Sequence, residues 1–261
     1  MVIDGKVIAE KIYEGLRALP APSQKLIAVL VGGTPDSVSF VSQKEKTAQA
    51  LRVRFQRVDL KQDIHEEELL SVLQSFSNDN DVGGIILQLP LPEHINIIKA
   101  LSALDCRKDI DVLNVSKQCL KLMSPTAGAL QQVLKELQFD LSGKNVALIG
   151  QGKLVGQPIA AFLRGKVGQL HLYDKEHFKS EVLLGADLVI TGVGMPGLIR
   201  PEMLKTDAVV IDFGYTYMHG VPQGDFAPPD EPSDIGYTPT PGGTGPIVVA
   251  QLFVNFYAIV K

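Results

Sequence analysis

Short apolar runs alternate with segments of helical period along almost the whole chain. That alternation is the pattern of repeated βα units around a mostly parallel sheet, whose strands are covered on both faces. In the first half, strands are predicted over 26–31, 55–60 and 84–89, followed by helices over 37–51, 66–76 and 95–102. An earlier helix, 6–19, stops at Pro20-Ala21-Pro22, because proline cannot supply the next backbone donor. In the second half, a helix over 129–137 precedes strands over 145–149, 169–173, 187–191 and 208–212. A last amphipathic helix spans 246–259, and the stretch 222–232, rich in proline and acid, reads as a surface loop. The fold class expected is α/β with two βα domains, the second a Rossmann-like dinucleotide-binding domain.

Composition narrows the classes. The 261 residues carry 45% hydrophobic and 21% charged side chains, ordinary for a globular chain with a real core. A net charge of −4 with no basic stripe gives no reason to expect a nucleic-acid partner. The N-terminal Met1-Val2-Ile3-Asp4-Gly5-Lys6 lacks a signal-peptide layout, and no apolar run reaches membrane-span length, so a cytoplasmic chain with no membrane partner is expected. In that setting Cys106 and Cys119 are read as reduced packing residues. His65, His94, His171, His177 and His219 have no ligand spacing with cysteine or with one another, so no metal site is expected.

The strongest local signal is Gly150-Gln151-Gly152-Lys153-Leu154-Val155-Gly156, which follows the strand at 145–149 and opens a helix running to about Arg164. Glycines there allow a tight turn and close approach of backbone to a pyrophosphate, whose charge meets the helix N-terminus. The spacing is GxGxxxG, and by itself a glycine used for strand-helix packing explains it equally well. Asp174, closing the next strand, stands near the separation of about 20 residues expected of a ribose-binding carboxylate. Together the two features favour a dinucleotide, and Gly192, after the following strand, joins them as a candidate contact.

In the first half, residues just past strand ends are the ones to inspect. Phe40 and Lys44 share a helical face after the first strand, and a lysine turned into a cleft would be desolvated enough to move protons near neutrality. The same pattern also describes a surface lysine beside a core phenylalanine. Gln88, ahead of Leu89-Pro90-Leu91-Pro92, is placed to orient Lys44 through its amide oxygen, unless it is a plain strand end. Within Lys108-Asp109-Ile110-Asp111 a carboxylate could accept hydrogen bonds from an amino-heterocycle such as a pterin, though loop acids are ordinarily solvated.

Taken in order, Ile3 to Lys6, Pro35 to Ser37, Val41 to Lys44, Gln88 to Pro92, Lys108 to Asp111, Val155 to Pro158 and Pro241 to Pro246 resemble the bifunctional methylenetetrahydrofolate dehydrogenase/methenyltetrahydrofolate cyclohydrolase family. The resemblance implies a folate/catalytic domain of residues 1–122 completed by 244–261, an NAD(P)-binding domain of 123–243, an active-site cleft between them and a homodimer. It implies tetrahydrofolate derivatives as substrates, Lys44 as the proton-transfer residue, Gln88 as its partner and Asp111 as the pterin contact. Phe40, Leu89, Pro90, Pro241, Gly242 and Gly243 would line the folate. Gly150, Gln151, Gly152, Leu154, Val155, Gly156, Asp174, Lys175 and Gly192 would line the dinucleotide. The reactions implied are oxidation of methylenetetrahydrofolate by a nicotinamide cofactor, then hydrolysis to formyltetrahydrofolate.

The chain departs from the family pattern at several points. Phe40 replaces a tyrosine and removes a hydroxyl from the lysine site, which is expected to weaken hydrolysis more than hydride transfer. Val112 replaces the glycine after the pterin aspartate, and Pro125-Thr126-Ala127-Gly128 replaces a Thr-Pro-x-Gly. Gln151 and Gly152 stand where many members have arginine and serine, and with Asp174 they favour NAD over NADP, Lys175 being the counter-argument. An unrelated nicotinamide dehydrogenase and a catalytically silent folate- or dinucleotide-binding homologue stay open as alternatives.

Overall fold

The computed structural model describes residues 1–114, 119, 121–175, 178, 180–218, 220–229, 231 and 233–260, so His177 and His219 lie outside the described residues. In chain order the elements are α1 (Gly5–Arg17), β1 (Lys25–Val31), α2 (Pro35–Ala50), β2 (Phe55–Leu60), α3 (Glu66–Asn78), β3 (Val82–Gln88), α4 (Ile97–Ala103) and α5 (Pro125–Glu136). They continue with β4 (Asn145–Ile149), α6 (Gly156–Leu163), β5 (Gln169–Tyr173), β6 (Leu188–Thr191), β7 (Val209–Asp212), β8 (Thr216–Met218), β9 (Val221–Gln223), β10 (Gly236–Tyr237) and α7 (Thr244–Ile259). No described helix is long and apolar enough to cross a membrane.

The chain divides into two units, one of Met1–Glu10 with Thr126–Val248 and one of Lys11–Pro125 with Val249–Lys261. The second holds a parallel sheet of order β2-β1-β3. β1 is its centre, and its uninterrupted apolar run is what a strand covered on both faces requires. Leu26, Ala28 and Leu30 pack with Val41 and Ala48 of α2 and with Phe253 and Phe256 of α7. Ile27, Val29 and Val31 point the other way, against Leu69 and Leu73 of α3. Truncating a fully buried phenylalanine such as Phe256 to alanine costs roughly 3–5 kcal/mol, so α7 from Val249 onward is a structural part of this unit. α2 starts where the sequence marks a start: Thr34 and Ser37 form a reciprocal capping box, and Pro35 occupies the first turn.

The first unit holds a parallel sheet of order β10-β7-β6-β4-β5. The chain leaves β4 for β5 on one side and returns as β6 on the other, so the strand order reverses between β4 and β6. At such a switch point the loops leaving the carboxyl ends of the two strands diverge and open a crevice. Ile3 donates its N–H to Tyr237 O at 2.8 Å, and Val2 bridges Tyr237, which ties the N-terminal residues to β10.

Two expectations are corrected. The stretch 222–232 is not simply a surface loop: it begins in the β8–β9 hairpin, and Gly224, Asp225 and Phe226 are buried. Asp230 and Pro232 of that stretch lie outside the described residues. Cys106 and Cys119 are not free packing residues but a disulfide pair, with Cα atoms 5.6 Å apart. Two successive tight turns follow Cys106, with Lys108 N–H donating to Asp105 O at 2.8 Å and Val112 N–H to Asp109 O at 3.4 Å, so the chain does not run on extended and residues 13 apart in sequence can be neighbours.

Candidate functional site

In the second unit, α2 carries Lys44 and the carboxyl end of β3 carries Gln88; because β3 lies directly beside β1, a helix leaving β1 can reach it. Lys44 Nζ donates to Gln88 Oε1 at 2.9 Å. The Gln88 amide is itself oriented, its Nε2 donating to Leu89 O at 2.8 Å, so the oxygen is left for the lysine. Lys44 is only 8% exposed. Burial pushes its ammonium down from the ordinary lysine range, and the Asp111 carboxylate opposes that shift. Asp111 shows the mirror image: burial raises it and Lys44 pulls it back. Each charge stands in a desolvating site with the other as its compensation. Phe40 is half-buried one turn before Lys44 on the same helix face, while Leu89 is half-buried and Pro90 exposed.

The loop that carries Asp111 is built by its neighbours. Lys108 has a structural role: its Nζ donates to Ser77 O and Asp79 O, each at 2.7 Å, and satisfies carbonyls at the end of α3. Asp109 is buried and accepts from Asn114 N–H at 3.0 Å, and burial pushes its carboxyl up to about 6. Asn255 on α7 donates to Ile110 O at 2.8 Å and to Met123 O at 2.9 Å, anchoring the backbone immediately before Asp111. Val112 adopts φ +56°, a left-handed conformation that a β-branched side chain rarely takes.

In the first unit the glycine-rich turn lies at the switch point. Gly150 has φ +97°. A Cβ on Gly156 would collide with the Gly150 carbonyl oxygen, and one on Gly192 would lie 2.6 Å from Val155 Cγ1. The turns after β4 and β6 therefore touch, and only glycine permits it. Gly152 faces open space and Leu154 is 45% exposed. Val155, the N-cap of α6, makes no side-chain cap, so the first N–H groups of α6 are not occupied by one. The Gln151 amide is turned onto its own chain, Nε2 donating to Gly150 O at 3.1 Å. Asp174 and Lys175 follow β5, both exposed, and β5 pairs with β4 through Tyr173 and Ile149. Pro241, Gly242 and Gly243 belong to this unit too, held where Gly5 N–H donates to Gly242 O at 2.9 Å. A turn that side chains would fill, opening onto a helix start, fits a dinucleotide phosphate group.

Residues 3–111 match the tetrahydrofolate dehydrogenase/cyclohydrolase catalytic domain, and residues 124–261 match the NAD(P)-binding domain of the same family. The chain belongs to the tetrahydrofolate dehydrogenase/cyclohydrolase family. The bifunctional protein FolD of Helicobacter pylori is 32% identical over 273 residues, spanning 98% of this chain and 93% of that protein. FolD of Staphylococcus carnosus is 34% identical, spanning 97% of this chain and 94% of the relative. Among solved structures, the FolD of Trypanosoma brucei, determined with NADP and an inhibitor, matches with a TM-score of 0.90 and 27% identity over 100% of this chain and 97% of that one. FolD of Campylobacter jejuni matches with 0.89 and 28% over 100% and 98%. The protein is thus an enzyme of one-carbon folate interconversion with a nicotinamide dinucleotide-binding domain.

Three residues of this family member escaped the sequence reading. Asn255 sits in an apolar helix with nothing local to mark it. Asp212 and Asp225 are buried acids of the first unit. Asp212 was signalled by its place at the carboxyl end of an apolar strand, whereas Asp225 was hidden in the proline- and acid-rich stretch.

Proposed function

We propose that the chain oxidises methylenetetrahydrofolate to methenyltetrahydrofolate with NAD and, more slowly, hydrolyses the product to formyltetrahydrofolate. The observation that carries this reading is the buried Lys44 amine bonded to Gln88 Oε1 with Asp111 as its compensating charge. A desolvated amine is neutral at lower pH than a surface lysine, so it is suited to take a proton from the water that attacks the methenyl carbon. Gln88 aims that amine, and Asp111 accepts from the pterin's amino groups. Phe40, Leu89 and Pro90 supply apolar contacts to the folate.

When bound, the nicotinamide supplies the hydride acceptor. Gly150, Gly152, Leu154, Val155, Gly156 and Gly192 would hold its pyrophosphate and the ribose beside it. Asp174 would accept from a ribose 2′-hydroxyl and repel a 2′-phosphate, and Gln151 supplies no cation there; Lys175 works in the other direction. The missing tyrosine hydroxyl at Phe40 weakens the proton-transfer site but leaves a ring to pack on the folate. The enzyme works in the cytoplasm as a homodimer, with no nucleic-acid or membrane partner.

Hydride transfer and hydrolysis, assayed separately in the natural chain and in Phe40→Tyr with NAD and NADP in parallel, test the proposal. Phe40→Tyr is expected to raise hydrolysis by about tenfold while moving hydride transfer by less than about twofold. An unchanged hydrolytic rate contradicts the role given to the hydroxyl, and a clear NADP preference contradicts the assignment of the cofactor.

A further inference from the structure

The turn through Gly192 and Gly194 after β6 packs on the glycine turn after β4, and a carboxylate outside the glycine motif holds it. Asp225 is completely buried. Its Oδ2 accepts from Thr191 Oγ1 at 2.7 Å and from Val193 N–H at 2.8 Å, and its Oδ1 accepts from Met195 N–H at 2.7 Å. Three donors within five residues converge on one side chain, so the course of that turn is set by where Asp225 stands. The turn in turn meets the other wall: Gly192 lies against Val155, and a Cβ on Gly150 would stand 2.8 Å from Val193 Cγ1.

Asp225 is itself held from behind. Its carbonyl accepts from Ile199 N–H at 3.0 Å, and the next residue, Phe226, donates its N–H to Asp212 Oδ2 at 2.9 Å. Asp212 also accepts from Gly214 N–H at 2.7 Å, and a Cβ at Gly214 would overlap the Asp225 carboxylate. The glycine at 214 is therefore needed so that the two acids fit past one another.

We infer that Asp225 is a positioning residue for the dinucleotide: it sets the Thr191–Met195 wall and, through the contacts with Val155 and Gly150, the spacing of the phosphate crevice. This rests on the reading of that crevice as the dinucleotide site. The test is titration of NADH fluorescence with the natural chain, Asp225→Ala and Thr191→Val, alongside circular dichroism and steady-state kinetics. Asp225→Ala strands two backbone donors and is expected to weaken NADH binding about tenfold or more, with kcat at saturating cofactor falling by less than about threefold. Thr191→Val keeps shape and removes one donor, and is expected to weaken binding by about threefold. NADH affinity equal to that of the natural chain in folded Asp225→Ala overturns the positioning role alone. If Asp225→Ala does not fold, Thr191→Val decides, and unchanged affinity there overturns the role. A natural chain that binds no NADH overturns the reading of the crevice and the inference with it.

Discussion

The lysine site of one unit and the aspartate pair of the other bury charge in opposite ways. Lys44 has one side-chain hydrogen bond, to Gln88, and a carboxylate nearby, so its charged form is poorly compensated and its proton is loosely held. Asp225 is saturated by three short donors and Asp212 by two N–H groups, so those carboxylates serve as fixed pegs around which loops are wound. A buried amine with one hydrogen-bond partner can exchange its proton, while acids bonded on both oxygens by surrounding donors hold loops in place. Lys44 is thus the residue proposed to move a proton, and the two acids are those that hold the loops after β6 and β7.

Asp212 and Lys44 tie stability to pH in opposite directions, and the larger effect is expected at Asp212. Burial first, then Asp225, pushes Asp212 up to about 7 from 3.8. The folded state then binds more protons than the unfolded one across that window, so stability is greatest near its acid end and declines as pH rises toward 7. The decline is at most about 1.4 kcal/mol per pH unit. Asp212→Asn does not titrate and is expected to flatten that decline, and because its amide oxygen cannot accept both N–H groups it also lowers stability, most at the acid end. Urea unfolding at a series of pH values reads both, and an unflattened curve would show that Asp212 does not titrate as described. Lys44 is lowered from 10.5, so its contribution rises with pH up to that value and disappears in Lys44→Met.

A smaller effect sharpens the same comparison on the Asp111 loop. Val112 sits at φ +56°, where glycine is unstrained. Val112→Gly is expected to stabilise the chain by about 1 kcal/mol, because relief of the left-handed strain exceeds the entropy that glycine loses. A fall in Tm would mean that the valine side chain contributes more by packing than its backbone conformation costs.

Much of this was legible in the sequence, for physical reasons that differ by region. The strands at 55–60, 145–149 and 169–173 fall where apolar or alternating runs are bounded by polar and glycine residues, and β2, β4 and β5 have those bounds. Helix ends were blurred: α2 begins at Pro35 because its cap is Thr34, a reciprocal bond to Ser37 that outweighs the apolar pattern used to place the start. The Lys44–Gln88 bond was foreseeable because a helix after the first strand and the end of a neighbouring parallel strand lie on the same edge of such a sheet. Asp225 was not, since its donors come from 30 to 34 residues earlier and composition around it says only proline and acid. Lys108 was read with the acidic loop, yet its partners are carbonyls of α3 some 30 residues before it.

The proposed hydrolysis depends on the amine of Lys44. Supplying methenyltetrahydrofolate directly and following its hydrolysis in Lys44→Met, with NADH binding measured on the same preparation, addresses it most directly. Hydrolysis is expected to disappear while NADH affinity stays at that of the natural chain; hydrolysis continuing at the natural rate in folded Lys44→Met would remove the amine from the reaction.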